Sequence, residues 1–195
     1  MKERSKYHHG DLRRALLLSA RALLEEHGPS ALNLREIARR VGVSAPSAYH
    51  HFPNLGAIAV ALAEDGFREL LEALHAASIE AQGHLMPAAE AYVGFARANS
   101  GLYRLMFGEG LLSSSAASGE IHGMRQRAYD FVAGNLRKRL PQGKVPVASL
   151  FLWSLVHGLT LLLIDGQLGS ASESESVIRG VLRLAGTGVP SANQS

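Results

Sequence analysis

The sequence predicts an all-α protein, and three observations support this fold class. Apolar residues recur at helical spacing along most of the 195 residues, whereas few stretches show the period of two that a half-buried strand requires. Glycine and proline end these stretches at intervals that suit helices of ordinary length. Hydrophobic residues make up 47% of the chain and charged residues 19%, which is typical of a globular protein and not of a disordered one.

Two helices are predicted before the first sharp turn. The first covers about residues 10–27, where leucines and alanines form an apolar face, and it ends at Gly28 and Pro29. The second begins after Asn33. Asn33 and Glu36 have the spacing of a capping box, in which each side chain bonds the backbone N–H of the other residue. This spacing indicates where the second helix starts.

A glycine separates the second helix from a third helix that begins only a few residues later. Gly42 ends the second helix, and Ser44 is a favourable N-cap for the third. Pro46 lies in the first turn of the third helix, where its missing N–H costs little, and Pro53 lies beyond its end. A fourth helix is predicted to begin after Asn54.

The rest of the chain predicts longer helices beyond a boundary at Gly83 and Pro87. They are expected over about residues 87–107, 119–140, 146–166 and 173–185. A small-residue loop, or a short helix with a mobile end, is expected over residues 108–120. We therefore predict a three-helix domain over residues 1–56, a linking helix over about 54–80, a second helical domain over 81–187 and a disordered tail over 188–195.

Basic residues are concentrated at the amino-terminal end. The formal net charge is +3, and residues 1–52 contain nine lysines and arginines against five acidic residues. A basic head on a near-neutral body indicates a polyanionic partner for the head, and the alternative is a chance asymmetry of a solvated surface. The opening segment MKERSKYHHGDLRR has no apolar core, so it does not have the pattern of a secretory signal.

Familiar catalytic and metal-binding patterns are missing from the sequence. There is no cysteine, which excludes disulfides and thiolate metal sites, and there is no HExxH, Walker or dinucleotide-binding pattern. The adjacent pairs His8-His9 and His50-His51 are poor chelators, because neighbouring side chains on a helix point about 100° apart. We therefore predict no enzymatic activity, no metal site and no cofactor.

Residues 145–164 form an apolar run that is long enough to span a bilayer. Proline, serine, histidine, glycine and threonine interrupt the run, and Asp165 follows it directly. A core helix or a dimer helix explains this pattern better than a membrane span. We therefore predict no membrane partner.

The break at Gly42 has the form of a helix-turn-helix. Ala38 is small enough to let a second helix approach, and Gly42 supplies the left-handed conformation that reverses the chain within about three to four residues. The second helix of such a unit lies in the DNA major groove. Its short or planar side chains suit phosphate oxygens and base edges, and they are Ser44, Ser47, Tyr49, His50 and His51. The alternative is an ordinary tight helical corner.

Residues 8–67 resemble the DNA-binding domain of the tetracycline-repressor (TetR) family of bacterial transcription regulators. The segment LREIARRVGVS resembles the family's second helix and turn, and SAYHHF resembles its recognition helix. A looser match lies in GLYRLMFGEG (101–110) and LWSLVHGLTLLLIDGQL (152–168). It resembles the ligand-binding domain of one branch of the family, which carries a Trp, a His and a Gly on a late helix, here Trp153, His157 and Gly158.

The resemblance implies an all-helical homodimer in which each subunit presents a three-helix head to one of two successive major grooves, about 34 Å apart. Family positions that contact phosphate or lie beside it correspond to Ser47, Tyr49 and His51. Positions that face the bases correspond to Ala45, Pro46 and His50.

Three further positions take their expected roles from the resemblance. Ser44 caps the recognition helix, and Arg35 matches a position that reaches a base or a phosphate. Lys6 belongs to a basic arm that is expected to touch the minor groove or the DNA backbone.

Two features depart from the family pattern. Leu55 and Gly56 occupy the positions of a Lys-Glu pair that often begins the fourth helix, so one expected phosphate contact is missing. Ala48 stands where the family has a larger apolar residue, so the packing beneath Tyr49 is expected to be thinner. Because the recognition helix offers few side-chain donors to the bases, we expect DNA shape and phosphate contacts to carry much of the affinity.

Aromatic residues and methionines concentrate in the second half of the chain, where most of them are expected to be core. The resemblance also implies an effector pocket there, apolar with a few polar groups such as His157 and Arg125. The pocket candidates are Tyr92, Phe95, Tyr103, Met106, Phe107, Met124, Tyr129, Trp153 and His157. The resemblance places the last two helices in a four-helix dimer interface, with candidates Leu152, Leu155, Leu162, Ile178, Val181 and Leu182.

These features predict a cytoplasmic, nucleoid-associated, sequence-specific DNA-binding transcriptional regulator. In the family's common mode, the protein binds double-stranded operator DNA and represses transcription. A small, largely apolar molecule then releases the protein from the operator. An alternative from another class is a helical small-molecule binding or carrier protein whose head docks another protein. Salt dependence separates the two, because binding through phosphates weakens steeply as salt rises.

Overall fold

A computed structural model of the chain describes residues 9–80, 85–108, 110, 118–169 and 171–188, and in these ranges it confirms the all-α prediction. The helices are α1 (His9–His27), α2 (Leu34–Val41), α3 (Ala45–His51), α4 (Leu55–Glu80), α5 (Leu85–Ala98), α6 (Ser100–Phe107), α7 (Ser118–Arg137), α8 (Val145–Ile164) and α9 (Ala171–Gly188). Short 3₁₀ turns at Pro29–Ala31 and Gln142–Lys144 precede α2 and α8. The predicted tail, after Gly188, lies outside the described residues.

The prediction of one helix over residues 87–107 is wrong, because the chain breaks at Asn99 and forms α5 and α6 instead. The Asn99 side chain donates a hydrogen bond of 2.9 Å to the carbonyl oxygen of Phe95, and the Asn99 backbone N–H donates to the same oxygen. Asparagine commonly ends helices in this way, by bonding nearby backbone groups. The apolar residues keep their helical spacing across Asn99, so the sequence pattern does not indicate that the helix breaks there.

The chain divides into two compact units. The first consists of residues 1–66 and 100–121, and the second consists of residues 67–99 and 122–195. Helix α6 therefore belongs to the same unit as α1, α2 and α3, although more than forty residues of chain separate α6 from α3. The boundaries at 66/67 and 121/122 fall inside α4 and α7.

The apolar face of α1 forms the centre of the first unit. Leu16, Ala20 and Leu24 have no solvent exposure, and α1 packs against α2, α3 and α6. Ile37 of α2 and Ala48 of α3 are also completely buried. Full burial of a leucine or isoleucine side chain stabilises a fold by about 1.5–3 kcal/mol, so this shared core determines how the three helices of the head pack.

Helix α6 begins directly against the end of α1. The backbone N–H groups of Gly101 and Leu102 donate to the Glu25 carboxylate at 2.8 and 2.9 Å. The first turn of a helix has N–H groups with no partner inside the helix, and here a carboxylate from another helix accepts from them. A Cβ atom on Gly101 would lie 2.2 Å from the carbonyl oxygen of Leu24, so the backbones meet at a distance that only glycine permits.

The second unit has an apolar core between α5, α8 and α9. Val93, Leu159, Ile178 and Leu182 are buried together in this core. A neighbouring cluster joins α7 to the start of α8 and contains Ala133, Leu136, Leu140 and Val145. Both clusters include residues of α8, which therefore takes part in both.

Helix α8 also carries two buried hydroxyl groups that bond within the helix. The Ser149 hydroxyl donates to the carbonyl oxygen of Val145, and the Thr160 hydroxyl donates to that of Val156, each at 2.7 Å. These bonds remove the cost of burying a hydroxyl without a partner. The polar residues that interrupt the apolar run are thus compatible with a core helix.

One helix in the described part of the chain is long and apolar enough to cross a membrane. It covers Gln142–Ile164, with a mean hydropathy of 2.1, and 17% of its most apolar window is buried inside the protein. Length and composition are the same for a membrane span and for a helix that buries its remaining surface against another protein chain.

We expect Gly101→Ala to lower the free energy of unfolding by about 1–3 kcal/mol, because the added methyl group forces the backbones of α6 and α1 apart. The measurement is urea unfolding followed by circular dichroism. Gly123→Ala is the matched control, since a Cβ at this helical position meets nothing within 4 Å. The control should be neutral or more stable by about 0.5–1 kcal/mol. Equal stability of the two variants would contradict the close approach at Gly101.

Candidate nucleic-acid interface and apolar cavity

The turn between α2 and α3 has the left-handed conformation that the sequence predicted at Gly42. Its φ and ψ angles are 79° and 26°. The N–H of Gly42 donates to the carbonyl oxygen of Arg39 at 3.1 Å, and the N–H of Val43 donates to that of Ala38 at 3.0 Å. These two bonds satisfy carbonyl groups at the end of α2 and reverse the chain. Ala38 is 1% exposed, as close packing of the two helices requires.

Two serines organise the start of α3. Ser44 has an extended backbone, and its hydroxyl oxygen accepts a bond of 3.4 Å from the N–H of Ser47. The two hydroxyl oxygens are 2.8 Å apart and share a hydrogen bond. Ser44 therefore has the N-cap role that the sequence predicted, and the Ser47 hydroxyl is oriented by Ser44.

Helix α3 has one buried face and one solvent face. Ala48 is completely buried, whereas Pro46, Tyr49 and His50 are exposed. Tyr49 is 44% exposed, and the rings of His50 and His51 meet edge to face with centroids 5.7 Å apart. Ala45, Ser47 and His51 are half-buried. The solvent face is short, with a phenol ring and an imidazole as its polar groups.

The expected capping box at the start of α2 is only half formed. The Asn33 side-chain oxygen accepts bonds from the N–H groups of Arg35 and Glu36, at 2.9 and 3.4 Å. The Glu36 carboxylate instead accepts bonds of 2.7 Å from Arg39 and 3.1 Å from Arg40. These bonds lower the pKa of Glu36 to about 2, so it stays ionised. A carboxylate makes stronger bonds to guanidinium groups than to one backbone N–H, which explains the difference.

The basic side chains of the head differ in how they are engaged. Arg39 and Arg40 bind Glu36, Arg40 also binds Glu26 at 2.9 Å, and the Arg13 guanidinium lies 5.1 Å from the centroid of the Phe52 ring. Arg35 is exposed and has no side-chain partner within the described part of the chain. Lys6, which the sequence also nominated, lies outside the described residues.

A small cavity of about 60 Å³ lies within the second unit. Its walls are almost entirely apolar, and they are formed by Leu74, Leu85, Ala88, Ala89, Tyr92, Phe131, Val132, Leu152, Trp153 and Val156. The sequence had nominated Tyr92 and Trp153 for a pocket, and it had nominated Leu152 for an interface. The remaining lining residues were missed, because alanines and aliphatic residues at helical spacing look the same whether they fill a core or line a cavity.

Aromatic and polar side chains form an edge beside this cavity. The Tyr92 hydroxyl and the His157 Nδ1 atom are 3.1 Å apart and share a hydrogen bond. The Trp153 ring lies parallel to the His157 ring at 6.0 Å, and the rings of Tyr92 and Tyr129 meet it edge to face at 5.8 and 5.9 Å. Burial and the nearby charge of Arg125 lower the pKa of His157, so its imidazole is neutral at pH 7.

The other pocket candidates lie elsewhere. Phe95 and Met124 are buried residues of α5 and α7. Tyr103 and Met106 are completely buried on α6 in the first unit, where the rings of Tyr103 and Phe107 lie 4.8 Å apart. The structure thus brings together Tyr92, Tyr129, Trp153 and His157 out of the nine nominated residues.

Most of the six dimer candidates pack inside the second unit. Ile178 and Leu182 are buried in its core, and Leu155 and Val181 pack against that core. Leu162 remains 39% exposed. Helices α8 and α9 expose large apolar side chains that include Leu162, and the set consists of Val147, Leu150, Phe151, Leu161, Leu162, Val177 and Leu184.

Two family models match the chain. The model described as bacterial regulatory proteins of the tetR family matches residues 16–62, which include α2 and α3. The model described as a tetracyclin repressor-like C-terminal domain matches residues 85–184, which is half of the chain. The branch suggested by Trp153, His157 and Gly158 stays a prediction. No curated protein was found to match the chain.

Solved structures are similar along most of the chain. A protein of unknown function from Rhodococcus sp. RHA1 has a TM-score of 0.78 at 32% identity, covering 94% of this chain and 96% of its own. PfmR, a TetR family transcriptional regulator from Thermus thermophilus, has a TM-score of 0.68 at 22% identity, covering 87% and 92%. NalD, the secondary repressor of the MexAB-OprM multidrug efflux pump in Pseudomonas aeruginosa, has a TM-score of 0.67 at 22% identity, covering 94% and 98%. The last two show a likeness of fold.

We expect His157 to make the protein less stable as the pH falls below 6.5, the ordinary pKa of histidine. Because the pKa of His157 is lowered in the folded state, the unfolded chain binds the proton more readily, and the loss grows as pH falls from 6.5 towards the folded pKa. Urea unfolding between about pH 5 and pH 8 measures this, and His157→Gln should lose less stability on acidification. His122→Gln, exposed on α7, is the control and should keep the wild-type profile. Identical profiles for wild type and His157→Gln would refute the assignment.

Proposed function

The chain belongs to the tetracycline-repressor (TetR) family of bacterial regulators, and we propose that it is a homodimeric repressor that a small apolar molecule releases from its operator. As a TetR family member it is a DNA-binding transcriptional regulator. The observation that carries the proposal is the turn at Gly42, with the capped α3 beyond it, in the chain that also contains the apolar cavity. Repression and release by ligand are the proposed parts.

In the proposed complex the solvent face of α3 enters the major groove. Pro46 and Ala45 offer methyl and methylene groups that suit thymine methyls, and His50 is the polar side chain beside them. Ser47 and Tyr49 are placed for phosphate oxygens. Because this face has few donors for base edges, we propose that phosphate contacts and DNA shape supply much of the affinity.

The remaining proposed DNA contacts come from the start of α2, the end of α3, the start of α4 and the amino-terminal arm. Arg35 supplies a guanidinium group at the start of α2, His51 lies at the end of α3, and Lys6 reaches the DNA from the arm. The Asn54 side chain caps α4 through a bond of 2.9 Å from the N–H of Ala57. With Leu55 in place of a lysine, the positive end of the α4 dipole is the group that remains to attract a phosphate.

We propose that the exposed apolar face of α8 and α9 is the dimer interface. Its seven large side chains lie along helices of 20 and 18 residues, so the face extends along much of the second unit. A monomer would leave this surface in water, which is unfavourable for a patch of this size. A partner copy covers the same face by two-fold symmetry and explains the high hydropathy of α8 without a membrane.

The proposed effector occupies the cavity beside Trp153. Its binding favours one of two dimer states, and the state without effector has the head spacing that the operator requires. The protein acts in the cytoplasm at the nucleoid, with no enzymatic activity and no metal or cofactor.

The decisive test is fluorescence anisotropy of the purified protein with labelled DNA from upstream of its own gene. Binding is titrated with salt and with excess unlabelled random DNA. Saturable binding that survives the competitor and weakens as salt rises supports a sequence-specific regulator. Binding that the random DNA abolishes would argue against an operator, and the carrier function would then be favoured if a small molecule copurifies with the protein.

Arg35→Ala should weaken operator binding and reduce the slope of log affinity against log salt by about one, because one phosphate contact is lost. Arg39→Ala is the control, since it removes the same charge from the same helix but its guanidinium is engaged by Glu36. If Arg35 reads a base, its loss will also relax the preference for one position of the operator. Equal losses for both variants would show that only the net charge matters.

Leu150→Glu should weaken dimerisation by at least about tenfold, because two-fold symmetry buries the new carboxylate twice in an apolar interface. Leu150 is 59% exposed in the subunit, so the subunit itself should stay folded. Leu18→Glu is the matched control, since Leu18 is 60% exposed and belongs to α1, not to α8 or α9. Sedimentation equilibrium without detergent measures the effect. A Leu150→Glu protein that stays as dimeric as the control would place the interface elsewhere.

A further inference from the structure

We infer that Arg13 of α1 is a further DNA-contacting residue of the head, and that the Phe52 ring at the end of α3 positions its guanidinium group for a phosphate beside the major groove. The inference rests on the proposed binding of DNA by α3, to which it adds a contact from another helix. It comes from the position of Arg13 over the ring, from its exposure and from the length of α3.

Arg13 extends the side of α1 that packs into the head. Leu16 lies three residues further along α1 and is completely buried, and side chains three apart lie on the same side of a helix. Helix α1 packs against α3, and the guanidinium of Arg13 lies 5.1 Å from the centroid of the Phe52 ring. The head therefore places a positive charge beside the residue that ends α3.

The Phe52 ring restricts where the guanidinium can lie. Phe52 is 2% exposed, and its backbone N–H donates to the carbonyl oxygen of Ala48 at 2.9 Å, so the ring is fixed to the end of α3. A cation over such a ring is attracted by the negative ring face. Binding then costs less side-chain freedom than it would for an arginine that moves freely in solvent. Arg13 is thus preorganised for an anion at this end of α3.

The charge of Arg13 remains available to a partner. Within the described part of the chain, no carboxylate pairs with Arg13, whereas carboxylates pair with Arg39 and Arg40. The Arg13 side chain is exposed. A contact over a ring face uses the charge of a guanidinium group, and its N–H groups can still donate to two phosphate oxygens at once.

The length of α3 suits contacts with phosphate at both of its ends. A helix of seven residues is about 10 Å long, and the major groove is about 12 Å wide. Ser47 lies near the start of α3, where a phosphate contact is already proposed, and Arg13 brings a second phosphate-binding group to the other end. Leu55, three residues after Phe52, has no charge to offer there. Contacts at both ends hold the solvent face of α3 against the base edges.

Arg13→Met separates a DNA contact from a purely structural role, because methionine can still cover the Phe52 ring but carries no charge. The full-length protein is titrated by fluorescence anisotropy with labelled upstream DNA and, separately, with labelled random DNA over about 0.05–0.2 M salt. We expect Arg13→Met to lower the affinity about five- to tenfold at about 0.1 M salt and to reduce the slope of log affinity against log salt by about one. Both DNAs should lose affinity by the same factor, because phosphates carry no sequence information.

Arg14→Met is the matched control. Arg14 is an exposed arginine on the same turn of α1, but adjacent side chains on a helix point about 100° apart. Leu18, four residues further along the side of Arg14, is 60% exposed, so Arg14 belongs to the solvent side of α1. We expect Arg14→Met to change the affinity by less than about twofold, because salt screens a distant charge, and to keep the wild-type slope. Arg13→Lys keeps the charge and should also keep that slope.

Three results would overturn the inference. The first is the same affinity and salt slope for Arg13→Met and Arg14→Met. The second is a loss in Arg13→Met that comes with an unchanged salt slope or with lower helix content by circular dichroism, since either would show a structural role. The third is an Arg13→Lys protein with the reduced slope of Arg13→Met. Any of these results beside saturable wild-type binding would refute this inference alone, whereas no saturable binding by the wild-type protein would refute the proposed regulator as well.

Discussion

The Glu25 carboxylate holds the start of α6 against the end of α1. This contact joins α6 to the three amino-terminal helices in the first unit. Two backbone N–H groups that open α6 donate to one side chain that closes α1. The contact requires a glycine at position 101, because any side chain there would meet the carbonyl oxygen of Leu24. The first compact unit of this TetR family protein therefore combines the helix-turn-helix with α6. The boundary between the two units falls after Asn99, at the break between α5 and α6. These two helices therefore belong to different units, although only one residue separates them in the chain.

Charge pairing engages two arginines of α2 in the described part of the head. Glu36 takes up two guanidinium groups that the sequence alone would count as part of a basic patch. Arg35 is exposed to solvent, and the recognition helix adds small, aromatic and imidazole groups. A head of this kind suits recognition through DNA shape and backbone contacts, in which deformation of the DNA supplies specificity at positions without direct base contacts.

Three sides of helix α8 have different surroundings: other helices, the cavity and solvent. One side packs on α5 and α9, a second side supplies Leu152, Trp153 and Val156 to the cavity, and a third side leaves Leu150 and Phe151 exposed. An α-helix that is apolar on all sides must be covered on all sides, which is why its hydropathy reaches the range of a membrane span. In the proposed dimer, the core, the proposed effector and the partner subunit together provide that cover, so the effector and the interface lie on different sides of one helix.

The local features could be predicted from the amino-acid sequence: most of the helices, the Gly42 turn, the Ser44 cap and the membership of the TetR family. These depend on residues close together in the chain, where spacing and backbone preference act directly. The break at Asn99, the pairing of Glu36 with arginines and the burial of Ile178 and Leu182 became visible only in the folded chain. So did the choice of which aromatic residues line the cavity, since Tyr92, Phe131 and Trp153 come from three different helices. Apolar periodicity shows that a helix has a face to bury, but only the packed structure shows whether a core, a cavity or another subunit covers it.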